Sequence, residues 1–340
     1  MYIFKKGFNL IMRYEYMHNL RGFAILLVIY GHAVAALNSI DGIYLIRDLL
    51  VNGTVLFVVI AGYFFSVVET RYTYKKYLFS KLKNVVFPYI FLSIPAILIY
   101  ILGYKSHHTW VDIDVLRQSS LIEQIIFYLT TGSHLGPLWF IPMIIVFYIL
   151  FPFFKLIKYN PLFNFFIIIS VVVSVFVGRP ENNDNALQSF IYFIPAYLIG
   201  IYIHANKGFI SSVSARSDIY LAACIIASLF LYSFFGYNSS IDMCIKLLIS
   251  IFSFGLFYKY LDFKLKFFGM LASISFYLFF VHGYLTGAAR ILLKKTNYID
   301  NSLLLSIAIF MLVTLFSVLS YFLLKPLFGE RKKEFLGADY

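Results

Sequence analysis

Arg21 and His32 are the residues of this chain whose types and spacing point most directly to chemistry. Both lie in the otherwise apolar segment that runs from Leu20 to Ala33. They stand eleven positions apart. At about 100° per residue their side chains fall within roughly 20° of each other on one helix face, about 16 Å apart along the axis. Ionisable groups at that depth in lipid are costly, and they ordinarily face a cavity, a pathway or a reactive site. Imidazole accepts a proton near neutral pH, so His32 is suited to act as general base for an attacking hydroxyl. Arg21, at the membrane edge, is suited to hold an anionic group or set the local potential. Taken singly, an arginine at an interface and a histidine between helices have plainer structural explanations. The shared face favours the chemical one.

These residues need helices in lipid to position them. The chain has 340 residues, is 61% hydrophobic and 13% charged, and has a mean hydropathy of +0.83. That composition excludes an ordinary soluble domain. Ten stretches are apolar enough to cross a bilayer of about 30 Å: 20–37, 49–68, 85–102, 138–157, 162–177, 189–203, 219–235, 243–261, 268–289 and 303–324. The sixth is short, and 121–129 is expected to be re-entrant or interfacial rather than spanning. The expected fold is a single all-α integral membrane domain over residues 1–340, a bundle of about ten transmembrane helices.

Charge sets the expected topology. With the N-terminus in the cytoplasm, 20 of the 28 Lys and Arg fall on the inner side. This predicts a multi-pass protein with both termini cytoplasmic. The net charge of +12 is then a topology signal and implies no nucleic acid. Lys5, Lys6 and Arg13 precede the first span, which is expected to be retained rather than cleaved as a signal peptide. Cys224 and Cys244 have no metal spacing and suggest no disulfide framework. No phosphate-binding glycine loop, metal-ligand cluster or nucleophile elbow is present in the sequence.

Other candidates group around the first pair. The basic stretch 71–84, with Arg71, Lys81 and Lys83, offers counter-charge for phosphates, although positive-inside anchoring alone accounts for it. His282 lies about 21 Å into the ninth span and His32 about 18 Å into the first, so both are expected at one depth in one chamber. Trp139, with His134 just before it, offers an aromatic face for a sugar; belt anchoring at the interface is the plainer alternative. Glu69 reads as a solvated interfacial carboxylate.

Leu20-Arg21-Gly22-Phe23-Ala24 followed by Gly31-His32-Ala33 resembles the opening signature of the acyltransferase-3 family, integral membrane enzymes that acylate sugars and lipids. The stretch from Leu56 to Phe64 is similar to that family's second span, with Ala61 where a small hydroxyl residue is usual. The stretches from Gly136 to Pro142 and from Ser275 to His282 resemble its later motifs, in the same order. The resemblance covers nearly the whole chain. It implies O-acyl transfer, with acetyl-CoA as donor and co-substrate, no metal, and His32 and Arg21 as the catalytic pair. It also implies donor contacts before the third span, where the family often has two arginines three apart; this chain has Lys81 and Asn84, with Lys83 between. Arg71, Lys81 and Lys83 are the expected donor-binding residues, and Trp139, His282 and His134 the expected acceptor-binding ones.

The implied acceptor is a hydroxyl of a surface polysaccharide or its lipid-linked precursor, such as O-antigen (lipopolysaccharide), capsule or exopolysaccharide. The expected location is the inner or plasma membrane, with membrane lipid as a partner; the sequence leaves oligomeric state open. A glycolipid or polysaccharide transporter or flippase is the alternative, since it too would be polytopic, aromatic-rich and basic inside. A membrane polysaccharide polymerase is a further rival, and would need a larger outer loop.

Overall fold

The computed structural model describes residues 14–34, 44–50, 53–182, 184–295, 303–338 and 340. Lys5, Lys6, Arg13 and the end of the first expected span lie outside the described residues. Regular structure among the described residues is helical throughout. In chain order the helices are α1 (Glu15–Val34), α2 (Tyr44–Leu50), α3 (Thr54–Val68), α4 (Tyr74–Lys81), α5 (Phe87–Ile101), α6 (Ile113–Arg117), α7 (Leu121–Thr131), α8 (Phe140–Ile149) and α9 (Phe151–Lys158). They continue with α10 (Phe163–Val177), α11 (Ala186–Ala205), α12 (Lys207–Ser214), α13 (Ser217–Phe235), α14 (Ser239–Tyr260), α15 (Lys266–Lys295), α16 (Leu303–Phe328) and α17 (Lys332–Leu336). Helices satisfy their own backbone hydrogen bonds, which hydrocarbon cannot do for them.

Among the described residues, seven helical segments are long and apolar enough to cross a membrane: Leu45–Val68, Tyr74–Ile101, Ala186–Ala205, Ser217–Phe235, Ser239–Tyr260, Lys266–Leu293 and Leu303–Leu336. The pair α7 and α8, bent by 78°, makes an eighth if it is one span. The chain is an all-α polytopic membrane protein. Three of the ten expected stretches stay outside the seven: 20–37, 138–157 and 162–177. α10 has only 15 residues, and α1 carries Asn19, Arg21 and His32. The expected straight span over 138–157 is in fact broken. A 3₁₀ turn, Gly136–Trp139, leads into α8, which ends at Ile149, and Pro152 opens α9 in the first turn, where its missing N–H is tolerated. The stretch 121–129 falls in α7, the first arm of the bent pair.

α1 runs along the seam between two apolar cores. Its first half, with Met17, Leu20 and Ala24, packs into a core built on α3, α8, α9, α11 and α14. Its second half, with Ile25, Val28 and Ile29, packs into another built on α5, α15 and α16. Phe57, Phe140 and Tyr148 touch both cores and are only half-buried, which marks where the two surfaces part. Phe176, Ile226 and Leu323 remain exposed on the outer helices, as lipid-facing residues do.

Contacts between segments remote in sequence gather one basic end of the bundle. The Asn19 amide donates to the carbonyls of Leu261 and Phe263 at 2.7 and 2.8 Å. Glu69, expected as a solvated carboxylate, is instead fully buried. Its carboxylate accepts from Tyr159 at 2.6 Å and Lys158 at 2.9 Å, with Lys155 at 3.5 Å. Burial pushes its carboxyl up, but the phenol and the two ammonium groups outweigh burial and hold it below the ordinary 4.5. A depressed carboxyl contributes stability above its ordinary value and loses it as pH falls through the lower one. Glu69→Gln is therefore expected to destabilise the protein by about 1–3 kcal/mol near neutral pH. The deficit should shrink in thermal melts below about pH 4. An equal deficit in acid and at neutrality would contradict this account.

Candidate functional site

α1 and α15 approach closely enough to set a register. A Cβ on Gly22 would lie 2.4 Å from the carbonyl oxygen of Phe268, so only a residue without a side chain lets the two backbones meet there. At that register Arg21 faces Ser275 and His32 faces His282. Arg21 Nε donates to Ser275 Oγ at 2.8 Å, while that hydroxyl donates to the Ala272 carbonyl at 2.9 Å. The serine therefore presents a lone pair to Arg21 and fixes the guanidinium plane. Among the described residues the terminal nitrogens of Arg21 have no hydrogen-bond partner. The side chain is half-buried, so part of it stays open to an incoming group.

Lys81 reaches the same end from another element. It ends α4 just before a π-helical turn, Leu82–Val86, a local irregularity often found at functional sites. Its ammonium lies 4.6 Å from the centre of the Tyr148 ring and 5.2 Å from that of Tyr77, within electrostatic reach of Arg21. The Tyr77 and Tyr148 rings meet edge to face at 6.0 Å, with Tyr197 beside them. Neither Arg21 nor Lys81 is ion-paired with a carboxylate among the described residues. Two like charges held in an enclosed aromatic space are a standing cost that a bound anion relieves.

The two histidines meet midway. The His32 and His282 ring centres are 5.1 Å apart at 52°. His282 is fully buried, and its Nδ1 donates to the Leu278 carbonyl at 2.9 Å. That bond places the proton on Nδ1 and leaves a lone pair on Nε2, which has no partner among the described residues. His32 is half-buried and faces the chamber. Phe279, 5.8 Å from the His282 ring, and Phe140, 5.3 Å from Phe279, wall the space. The expectation that both histidines lie at one depth agrees with this separation. The arrangement supplies a base with a neighbouring lone pair and, about 16 Å along α1, two neighbouring cations.

Other expected residues lie elsewhere. Lys83 turns away from the chamber to pair with Glu334 at 2.8 Å. Arg71 is exposed in a groove of about 490 Å³ that also includes Tyr74, Phe151 and Lys155. His134 does not face a substrate: its Nδ1 engages the Tyr128 carbonyl at 2.9 Å and its Nε2 the Ser93 hydroxyl at 2.8 Å, bracing the bent pair against α5. Trp139 is 7% exposed, stacked on Phe193 at 5.8 Å, with the Arg179 guanidinium 4.9 Å from its ring centre, so little of its face is left for a sugar. Sequence reasoning missed Tyr77, Tyr148 and Arg179, whose positions depend on packing between distant segments and carry no local signal. Arg290, two turns beyond His282 on α15, is a helical neighbour that spacing alone makes legible. No cluster of three or more metal-ligating side chains occurs among the described residues.

A family model described as an acyltransferase domain matches residues 14–324, from the start of α1 into α16. The chain belongs to the acyltransferase-3 family. It is a multi-pass membrane acyltransferase. No curated protein and no solved structure matches the chain. The acyltransferase-3 match takes in both histidines, Arg21 and Lys81, and ends before α17, whose Glu334 holds Lys83.

Proposed function

We propose that this membrane acyltransferase moves an acetyl group from acetyl-CoA to a hydroxyl of a surface polysaccharide or its lipid-linked precursor. The observation that carries this reading is the His32–His282 pair, 5.1 Å apart, with Arg21 about 16 Å along α1 from His32 and Arg21 and Lys81 without a carboxylate partner among the described residues. Donor phosphates sit against Arg21 and Lys81, which are the cytoplasmic end in this proposal, and the thioester extends toward His32. The acceptor oxygen attacks the thioester carbonyl carbon as His32 takes the hydroxyl proton. The carbon–sulfur bond breaks, and the proton passes from His32 to the departing thiolate, giving an O-acetyl ester and free CoA. In this proposal His32 turns on substrate binding to donate an N–H to the open His282 Nε2, which would leave the other His32 nitrogen as the base. Arg21, held by Ser275, positions the donor.

The test supplies radiolabelled acetyl-CoA and extracted host glycolipid or polysaccharide to membranes carrying the protein. Base-labile label in the sugar fraction supports the reading. Absence of label from a folded protein, with longer acyl-CoAs also tried, overturns it. In the same assay Arg21→Gln is expected to raise the donor KM about 10–100-fold with a smaller fall in kcat, because a charge-assisted contact to donor is lost. Arg21→Lys should restore only part of it, since an ammonium lacks the planar fork. An unchanged KM in Arg21→Gln would remove Arg21 from donor binding.

A further inference from the structure

A short segment beyond the matched domain touches both elements that carry the donor-end cations. α17 lies outside residues 14–324 and packs against the π-helical turn Leu82–Val86, α5 and α16. Its Glu334 pairs with Lys83 at 2.8 Å. Phe335 stands against Phe87 at 5.2 Å, Phe91 at 5.1 Å and Phe328 at 4.9 Å. Leu336 is fully buried in the core built on α5, α15 and α16. Gly337 closes α17 in the left-handed region, with φ +67°, and a Cβ there would lie 2.5 Å from the Phe276 ring. Only glycine combines that turn with that approach. The Tyr340 N–H then donates to the Tyr321 hydroxyl of α16 at 3.1 Å.

These contacts fix two helical rotations. Lys81 and Lys83 are two residues apart, about 200° around a helix. A rotation that frees Lys83 from Glu334 therefore swings Lys81 off the Tyr77 and Tyr148 rings. The Lys83–Glu334 pair is partly exposed and adds little stability of its own, so what it chiefly sets is orientation. On the other side Phe276 directly follows Ser275, whose hydroxyl orients Arg21. We propose that α17 positions the donor site. By holding Lys83 and Phe276 it keeps Lys81 and the Arg21–Ser275 pair turned toward the phosphates of acetyl-CoA, a role that rests on the donor placement above. Glu334 and Gly337 are positioning residues, acting through Lys83 and Phe276.

Titration of CoA into the purified full chain in detergent tests this, with the melting temperature followed alongside. Glu334→Lys is expected to weaken CoA binding about tenfold while the melting temperature stays close to that of wild type. Exchanging the charges, Lys83→Glu with Glu334→Lys, should restore most of the binding, because the bridge is remade in reverse. A Lys83 that touched the donor itself would not be rescued in this way. Gly337→Ala should weaken binding too, and melt lower, since its Cβ displaces the segment from Phe276. Arg21→Gln reports on the donor placement separately. If it weakens CoA binding while Glu334→Lys binds like wild type, α17 has no positioning role. If it binds like wild type while Glu334→Lys is weakened and the exchanged pair recovers, the donor placement falls and α17 still governs CoA binding. Binding unchanged in both variants, or absent from wild type, overturns both. A loss in Glu334→Lys that tracks the melting temperature and is not recovered by the exchange would make α17 a plain folding element and overturn the proposal.

Discussion

Membranes carrying His32→Ala are expected to show acyl transfer lowered by about 10²–10⁴-fold, the range ordinarily lost with a general base. The protein should still accumulate at normal abundance. His32 makes no protein hydrogen bond among the described residues and is half-buried against the chamber, so its loss removes little packing. If His32 acts only in the transition state, kcat and kcat/KM fall together and the donor KM barely moves. His282→Ala should behave differently. It removes a fully buried ring hydrogen-bonded to Leu278, so part of its effect appears as lost stability. His32→Ala with wild-type kcat would remove the histidine pair from the chemistry. A loss of abundance matching the loss of activity would make His32 structural.

The second large effect concerns the crossing of α3 and α11. A Cβ on Gly62 would lie 2.0 Å from the Tyr197 carbonyl oxygen, and one on Gly200 would lie 2.0 Å from that of Val59. Both obstacles are backbone, so no rotamer change makes room. Small residues at helix interfaces in membranes permit this kind of approach, and packing there is a main source of association. Gly62→Ala and Gly200→Ala are each expected to cost at least about 1–3 kcal/mol, with the two changes together non-additive because they strain one crossing. The readout is the melting temperature of purified protein in detergent. Gly208→Ala in α12, where a Cβ meets nothing within 4 Å, is the matched control and should be neutral or slightly stabilising. If the two crossing variants melted like this control, the close approach would not matter to the fold. Activity should fall as well, because spreading α3 from α11 moves Tyr197, which packs beside Tyr77 at the end of the chamber near Lys81.

Local regularity explains which parts of this protein were legible in its residues. Arg21 and His32 share a face because a helix repeats every 3.6 residues, and no tertiary contact is needed to know it. The long apolar runs had to be helices because lipid offers the backbone no partners. His32 and His282 were placed at one depth by counting rise per residue, and the rings do meet. Gly62, part of the motif that resembles the family's second span, marks a close crossing, although its partner Gly200 could not be named from sequence.

Tertiary structure decided what each polar side chain does on arrival. The contact that orients Arg21 joins residues 254 positions apart, and it depends on Gly22 letting α1 meet α15. His134 looked available until Ser93 and the Tyr128 carbonyl took both its nitrogens. Lys81 and Lys83 are two residues apart, yet one faces the aromatic chamber and the other pairs with Glu334. Arg179, with no local signal in the sequence, rests on the Trp139 ring. Helix formation is a matter of neighbours along the chain and of the solvent around it. The partner of a side chain is a matter of which helices touch, and that is fixed by backbone approach and packing between segments remote in sequence.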